Sequence, residues 1–126
     1  MEICSPNSAV TPWNRDCSDS YTIKQRLSDF SMWRGKETSD TNGLWHLMTK
    51  CYTTPAVGIA WLKTLCVTKA NPQITEGVLE HVTGAAVSAI VPLEWKVMVH
   101  EMGHNFGSEH DCITSTCPCV DRKSVV

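Results

Sequence analysis

Val99-His100-Glu101-Met102-Gly103-His104-Asn105-Phe106-Gly107-Ser108-Glu109-His110-Asp111 carries the densest chemical information in the chain. His100 and His104 stand four apart, so one turn of helix brings both imidazoles to the same side. There they can grip one Zn²⁺ through bonds of about 2.0–2.1 Å. Glu101 is displaced around the helix from that pair. It sits beside the metal position rather than on it, where a base for an activated water belongs. Gly107 lets the chain leave the helix through a φ > 0 turn at little steric cost. That turn swings His110 back as a third ligand. Three neutral nitrogens leave a fourth position for water, the mark of a catalytic rather than a structural site. The five-residue H-E-x-x-H pattern alone arises by chance in roughly one unrelated chain of this length in a few hundred, and adding Gly107 and His110 lowers that by roughly three orders of magnitude. Histidines on a merely solvated helix face are therefore a poor account of it.

Outward from this segment, Pro92 suits the first turn of the helix, because its missing N–H is no loss there. Trp95, Val99 and Met102 share one face at i, i+4, i+7. Residues 86–91 (Ala-Val-Ser-Ala-Ile-Val) read as a short strand. Residues 68–84, with Pro72, Gly77 and Gly84, read as a long surface excursion, and His81 as a surface-loop histidine. Residues 57–62 (Val-Gly-Ile-Ala-Trp-Leu) form a second strand, in which Gly58 and Ala60 leave one face small enough for close approach of another backbone or a ligand. Residues 44–49 (Leu-Trp-His-Leu-Met-Thr) form another strand. His46 inside it is expected to be a hydrogen-bonded strand histidine rather than a metal ligand. Thr22 and Gln25 make a capping-box pattern, and Ile23, Leu27 and Phe30 define the apolar face of the helix that follows, which Gly35 stops.

The chain has 126 residues, enough for one domain at most. Its 42% hydrophobic and 19% charged residues are an ordinary globular mix and exclude a wholly disordered chain. A net charge of -2 leaves no basic excess for a phosphate backbone, so nucleic acid is not an expected partner. No apolar run reaches the roughly 20 residues of a membrane-spanning helix. Seven cysteines point to an oxidising compartment or to metal binding. Cys4 and Cys17 bracket a Pro-, Asn- and Ser-rich loop and suit a staple across it. Cys51 and Cys66 flank the second strand and suit a bridge between its two ends, although spacing does not fix connectivity. An odd count leaves at least one thiol without an intrachain partner. The start, Met1-Glu2-Ile3-Cys4-Ser5-Pro6, lacks the basic and apolar segments of a secretory leader. A piece of a larger extracellular protein is expected.

The zinc-motif segment, with its aspartate directly after the third histidine, closely resembles the adamalysin/reprolysin catalytic domain of ADAM-type metalloproteases, which are metzincins. Residues 44–49 resemble that family's strand before the active-site edge, and residues 57–62 its edge strand that receives substrate backbone. Ile3-Cys4-Ser5-Pro6-Asn7-Ser8 and Trp33-Arg34-Gly35 resemble the fungal branch. The resemblance implies an α/β (α+β) fold of metzincin/zincin type, a twisted mixed sheet with an active-site helix, here incomplete. It places a partial catalytic domain over residues 2–117 and a non-family tail over 118–126. It implies a zinc endopeptidase with one catalytic Zn²⁺, with His100, His104 and His110 as ligands, Glu101 as base, and Gly58 and Ala60 lining the substrate cleft. The substrate is a protein or peptide, and the setting is extracellular or a membrane-anchored ectodomain.

Metzincins place a methionine turn downstream of the third histidine, and none of Met1, Met32, Met48, Met98 and Met102 follows His110. Two other readings therefore stand beside the enzyme. One is a truncated, zinc-binding but inactive fragment, and the other a disulfide-stapled extracellular interaction module.

Overall fold

Thr22 opens the first helix by reciprocal hydrogen bonding. Its Oγ1 accepts from the Gln25 N–H at 3.2 Å, and Gln25 Oε1 accepts from the Thr22 N–H at 2.8 Å. Helix α1 (Ile23–Arg34) follows, and Ile23, Leu27 and Phe30 are its buried apolar residues, as their spacing predicts. Gly35 ends it in a right-handed conformation, φ -63°. Left-handed freedom is thus not why glycine stands there. A Cβ at this position would lie 2.5 Å from both the Cβ and the N of Ala70, so the absent side chain is what admits the neighbouring chain.

The computed structural model describes residues 9–37, 39–51 and 56–110. After α1 come β1 (Trp45–Thr49), β2 (Gly58–Ala60), β3 (Asn71–Thr75), β4 (Val78–Val82), β5 (Ala85–Ala89) and α2 (Glu94–Phe106). The main sheet has the order β1-β5-β2. β1 runs parallel to β5, with Trp45 opposite Ala85 and Thr49 opposite Ala89. β2 runs antiparallel to β5, with Gly58 opposite Ser88 and Ala60 opposite Ala86. Among the described residues β2 is therefore an edge strand.

β5 is buried along its whole length. Alternation sends its residues to opposite faces. Ala85 and Val87 join Ile23, Leu27, Phe30 and Trp61 in the core under α1, with Trp45, Leu47 and Ile59 packed against it. Ala86 and Ser88, level with Gly58 and Ala60, face the other way, toward α2. The sheet is thus sandwiched between two helices, in the α+β class expected. Four small residues on the α2 side let that helix come close.

The long surface excursion expected over 68–84 contains regular structure that the sequence reading did not anticipate. β3 and β4 pair as a hairpin, with Asn71 opposite Val82 and Thr75 opposite Val78. Glu76 (φ 52°) and Gly77 (φ 79°) supply the two positive φ values that a two-residue hairpin turn with strand-matched twist needs. His81 accordingly lies in β4, not in a loop, and its N–H donates to Ser28 Oγ of α1 at 2.9 Å.

Two expectations about α2 also change. Pro92 precedes the N-cap, Leu93, instead of occupying the first turn. The buried face is Val97, Glu101 and Asn105, while Trp95 and Val99 are each 57% exposed and Met102 is half-buried. The sheet surface under α2 is made of small residues, so the helix turns toward it the side chains that fit or bond there.

Cys17 and Cys51 form a disulfide with Cα atoms 5.0 Å apart, and Cys66 is free and exposed. Cys51 thus bridges back to the segment before α1 and not to Cys66. Cys17, having Cys51 as partner, does not staple the loop to Cys4, which lies outside the described residues. Spacing along the chain favoured the nearer pairs, while the fold brings the segment before α1 to the end of β1 and joins the distant pair.

Candidate metal centre

α2 presents His100 and His104 one turn apart. Gly107 then ends the helix at φ 104°, its N–H donating to the carbonyls of Gly103 and His104. Ser108 N–H donates to Gly103 O at 2.9 Å. This left-handed turn reverses the chain and carries His110 back over the helix. The Nε2 atoms of His100, His104 and His110 converge, each 3.0 Å from the other two.

That convergence is itself informative. His104 Nδ1 lies 2.7 Å from the Ser108 carbonyl, which can only accept, so the proton of a neutral His104 is on Nδ1. Its Nε2 then carries a bare lone pair. Lone pairs of three imidazoles gathered at 3.0 Å fit ligation of a single small cation, at the spacing expected when bonds run about 2.0–2.1 Å. A carbonyl on the far ring nitrogen is also the usual device that fixes a ligating imidazole. Burial, followed by the two neighbouring imidazoles, holds His100 below the ordinary histidine pKa. His100 thus favours the neutral ring, the form that binds metal. His100 and His104 are half-buried and His110 is exposed, so the cluster opens to solvent on the His110 side.

Glu101, next in sequence to His100, lies where α2 packs on β2 and is 5% exposed. Burial pushes its carboxyl up to about 7. Its neighbours there are on β2: a Cβ built on Gly58 would overlap Glu101 Oε1 and come within 2.7 Å of Val97 Cγ1. Ala60, opposite Ala86 at the end of β2, is half-buried. The structure therefore brings His100, His104 and His110 together, with Glu101 and Gly58 in contact beside them.

Asn105 was not singled out from sequence. It is fully buried, and its Nδ2 lies 2.9 Å from Trp61 O, 3.0 Å from Thr64 Oγ1 and 3.0 Å from Ala85 O. Its backbone carbonyl accepts from the N–H groups of Thr64 and Leu65 at 3.0 and 3.1 Å. The available signal was its place four residues after Glu101, on the same helical face.

The family described as Metallo-peptidase family M12B, Reprolysin-like, matches residues 1–126. Among curated proteins the chain is similar to a "Disintegrin and metalloproteinase domain-containing protein B" of Trichophyton verrucosum, 42% identical over 117 residues. That alignment covers 87% of this chain and 14% of the relative. Proteins of the same description from Aspergillus fumigatus and Arthroderma otae are 44% identical over 110 residues and 39% over 117. They cover 86% and 87% of this chain, and 13% and 15% of the relatives. The chain thus spans about one seventh of the length of these relatives.

Proposed function

The chain belongs to the reprolysin-like M12B metallopeptidase family, and from that premise we propose that it is a zinc-dependent endopeptidase acting on protein or peptide substrates. His100, His104 and His110 would hold one Zn²⁺. The observation that carries this reading is the three-way approach of their Nε2 atoms at 3.0 Å. A bound ion of this kind supplies Lewis acidity, which makes water a competent nucleophile near neutral pH and polarises a carbonyl.

The chain's own residues do the rest. Glu101, buried against β2 and next in sequence to His100, is the carboxylate placed to act as the base. Its carboxylate takes a proton from the attacking water and delivers it to the leaving amine nitrogen. No side-chain nucleophile is required. β2 offers its outer edge, through the backbone of Gly58 and Ala60, to an extended peptide that joins as an added strand. Ser108 O, by accepting from His104 Nδ1–H, keeps the His104 ring turned toward its partners.

The Cys17–Cys51 disulfide supports an oxidising compartment, hence an extracellular or membrane-anchored parent protein. No described helix is long and apolar enough to cross a membrane.

The test is hydrolysis of a diverse peptide pool by the 126-residue chain with added zinc, read by mass spectrometry beside Glu101→Gln and Glu101→Ala. Both variants are expected to retain one zinc per chain and to lose about 10²–10⁴-fold in rate. Cleavage at the wild-type rate by either variant removes Glu101 as the base. One bound zinc with no cleavage by the wild type leaves the chain a metal-binding fragment of the larger enzyme. Neither zinc nor cleavage would return the reading to a disulfide-stapled interaction module.

A further inference from the structure

We propose that Gly58 is a positioning residue for Glu101, its missing side chain fixing where the carboxylate of the base sits. The inference deepens the endopeptidase reading and rests on it.

The Cβ direction at Gly58 runs into α2. An added methyl would overlap Glu101 Oε1, and would stand 2.7 Å from Val97 Cγ1 and 2.9 Å from Glu101 Cδ. Carbon atoms in comfortable contact are about 3.5–4.0 Å apart. Something must therefore move, and the bonding around the site selects what moves.

The helix is held. Lys63 N–H donates to His104 O at 3.0 Å, Thr64 and Leu65 N–H donate to Asn105 O, and the Asn105 side chain bonds Trp61 O and Ala85 O. Trp61 directly follows β2, and Thr64 and Leu65 lie just beyond it. The segment leaving the strand is thus tied to the same helix that carries the base. The strand is held as well, by its pairing of Gly58 with Ser88 and Ala60 with Ala86. Neither element can back away without breaking buried hydrogen bonds. Two side chains of α2 must then yield, Val97 and the end of Glu101, and the carboxylate is the longer and more flexible of the two.

Gly58 therefore separates folding from chemistry. A methyl there meets the Glu101 carboxylate most closely and Val97 next, and no histidine of the trio is among its nearest contacts. The strand whose outer edge receives the peptide is also the strand whose inner face abuts the base. One residue thus sets the scissile bond and the proton acceptor in a common register.

The test is Gly58→Ala in the 126-residue chain, beside wild type and Glu101→Gln, with zinc stoichiometry and affinity measured on each. Zinc affinity and KM are expected to stay within about twofold of wild type while kcat per bound zinc falls about 100-fold, the effect of misplacing a reacting group by roughly 1 Å. An unchanged kcat overturns the proposal, and so does a loss confined to KM or to zinc affinity.

A second measurement uses the zinc-free chain and does not depend on activity. The fall in denaturation midpoint caused by Gly58→Ala is expected to shrink in a Glu101→Ala background, where the space has been vacated. Equal falls in both backgrounds overturn the contact. If the wild type shows no Glu101-dependent hydrolysis, the endopeptidase reading fails and takes the positioning role with it. If the wild type cleaves and Gly58→Ala cleaves equally well, only the Gly58 proposal fails.

Discussion

At His46, burial without a charged partner makes protonation unfavourable. The ring's Nε2 lies 2.8 Å from Ser88 Oγ, and its Nδ1 is buried with no partner among the described residues. Burial accordingly lowers its pKa from the ordinary 6.5. The unfolded chain then takes up the proton first as pH falls through about 6.5, so this contribution to stability is complete above that pH and lost below it. Wild type is expected to lose more in urea midpoint between about pH 7.5 and pH 5 than His46→Gln does, and equal losses would show that burial at this site is not felt. A hydrogen-bonded strand histidine could be anticipated from the flanking Trp45 and Leu47. The convergence of His100, His104 and His110 was readable as well, because helical period and a glycine turn are local rules. The surroundings of Glu101 were not readable. Gly58 lies 43 positions away, and only the antiparallel pairing of β2 with β5 sets it against the helix. Asn105 was hidden for a similar reason, since its partners Trp61, Thr64 and Ala85 come from two other segments.

Among the elements, α1 was the most legible. Its start follows from the Thr22–Gln25 box and its buried side from a simple 3.6-residue spacing. Thr22→Ala removes the acceptor for the Gln25 N–H and is expected to lower the free energy of unfolding by about 1 kcal/mol, measured by chemical denaturation. No loss would mean that tertiary packing alone holds the first turn. The β3–β4 hairpin was the least legible. Its turn is Glu76-Gly77 rather than the more recognisable Asn-Gly or Asp-Gly, Pro72 sits inside β3, and both strands lack clean alternation. What fixes the hairpin is docking on α1. Lys24 Nζ meets Glu80 Oε1 at 2.7 Å, and Ser28 takes the His81 N–H. In α2 the apolar spacing of Trp95 and Val99 pointed to the wrong side, since hydrophobicity was a poor guide where the sheet presents Gly58, Ala60, Ala86 and Ser88.

In the whole molecule, two features join stretches that are far apart in sequence. The first is Arg34, fully buried, whose guanidinium bonds Asp40 at 2.7 Å, the Asn42 carbonyl at 2.5 Å and the carbonyl of Gly84. Burial alone would raise the Asp40 carboxyl. The hydrogen bonds from Arg34, the Asn42 N–H and Trp45, with the guanidinium charge, outweigh it and hold Asp40 below the usual carboxylate range. The end of α1 is thereby fixed to the entry of both β1 and β5. The second is the disulfide between Cys17 and Cys51, 34 positions apart. On the chain-entropy account a closure of that length stabilises by roughly 3–4 kcal/mol. It also turns α1, the polar connection and β1 into one covalent ring. Lys36, Glu37, Thr41 and Asn42 lie exposed within that ring and are the places where an added protease would cut first. A single cut there yields two polypeptides that stay tethered. Such a nicked molecule is expected to migrate at full size on a non-reducing gel and to separate into two bands only after reduction. An unbroken band without reductant is therefore no measure of an unbroken backbone.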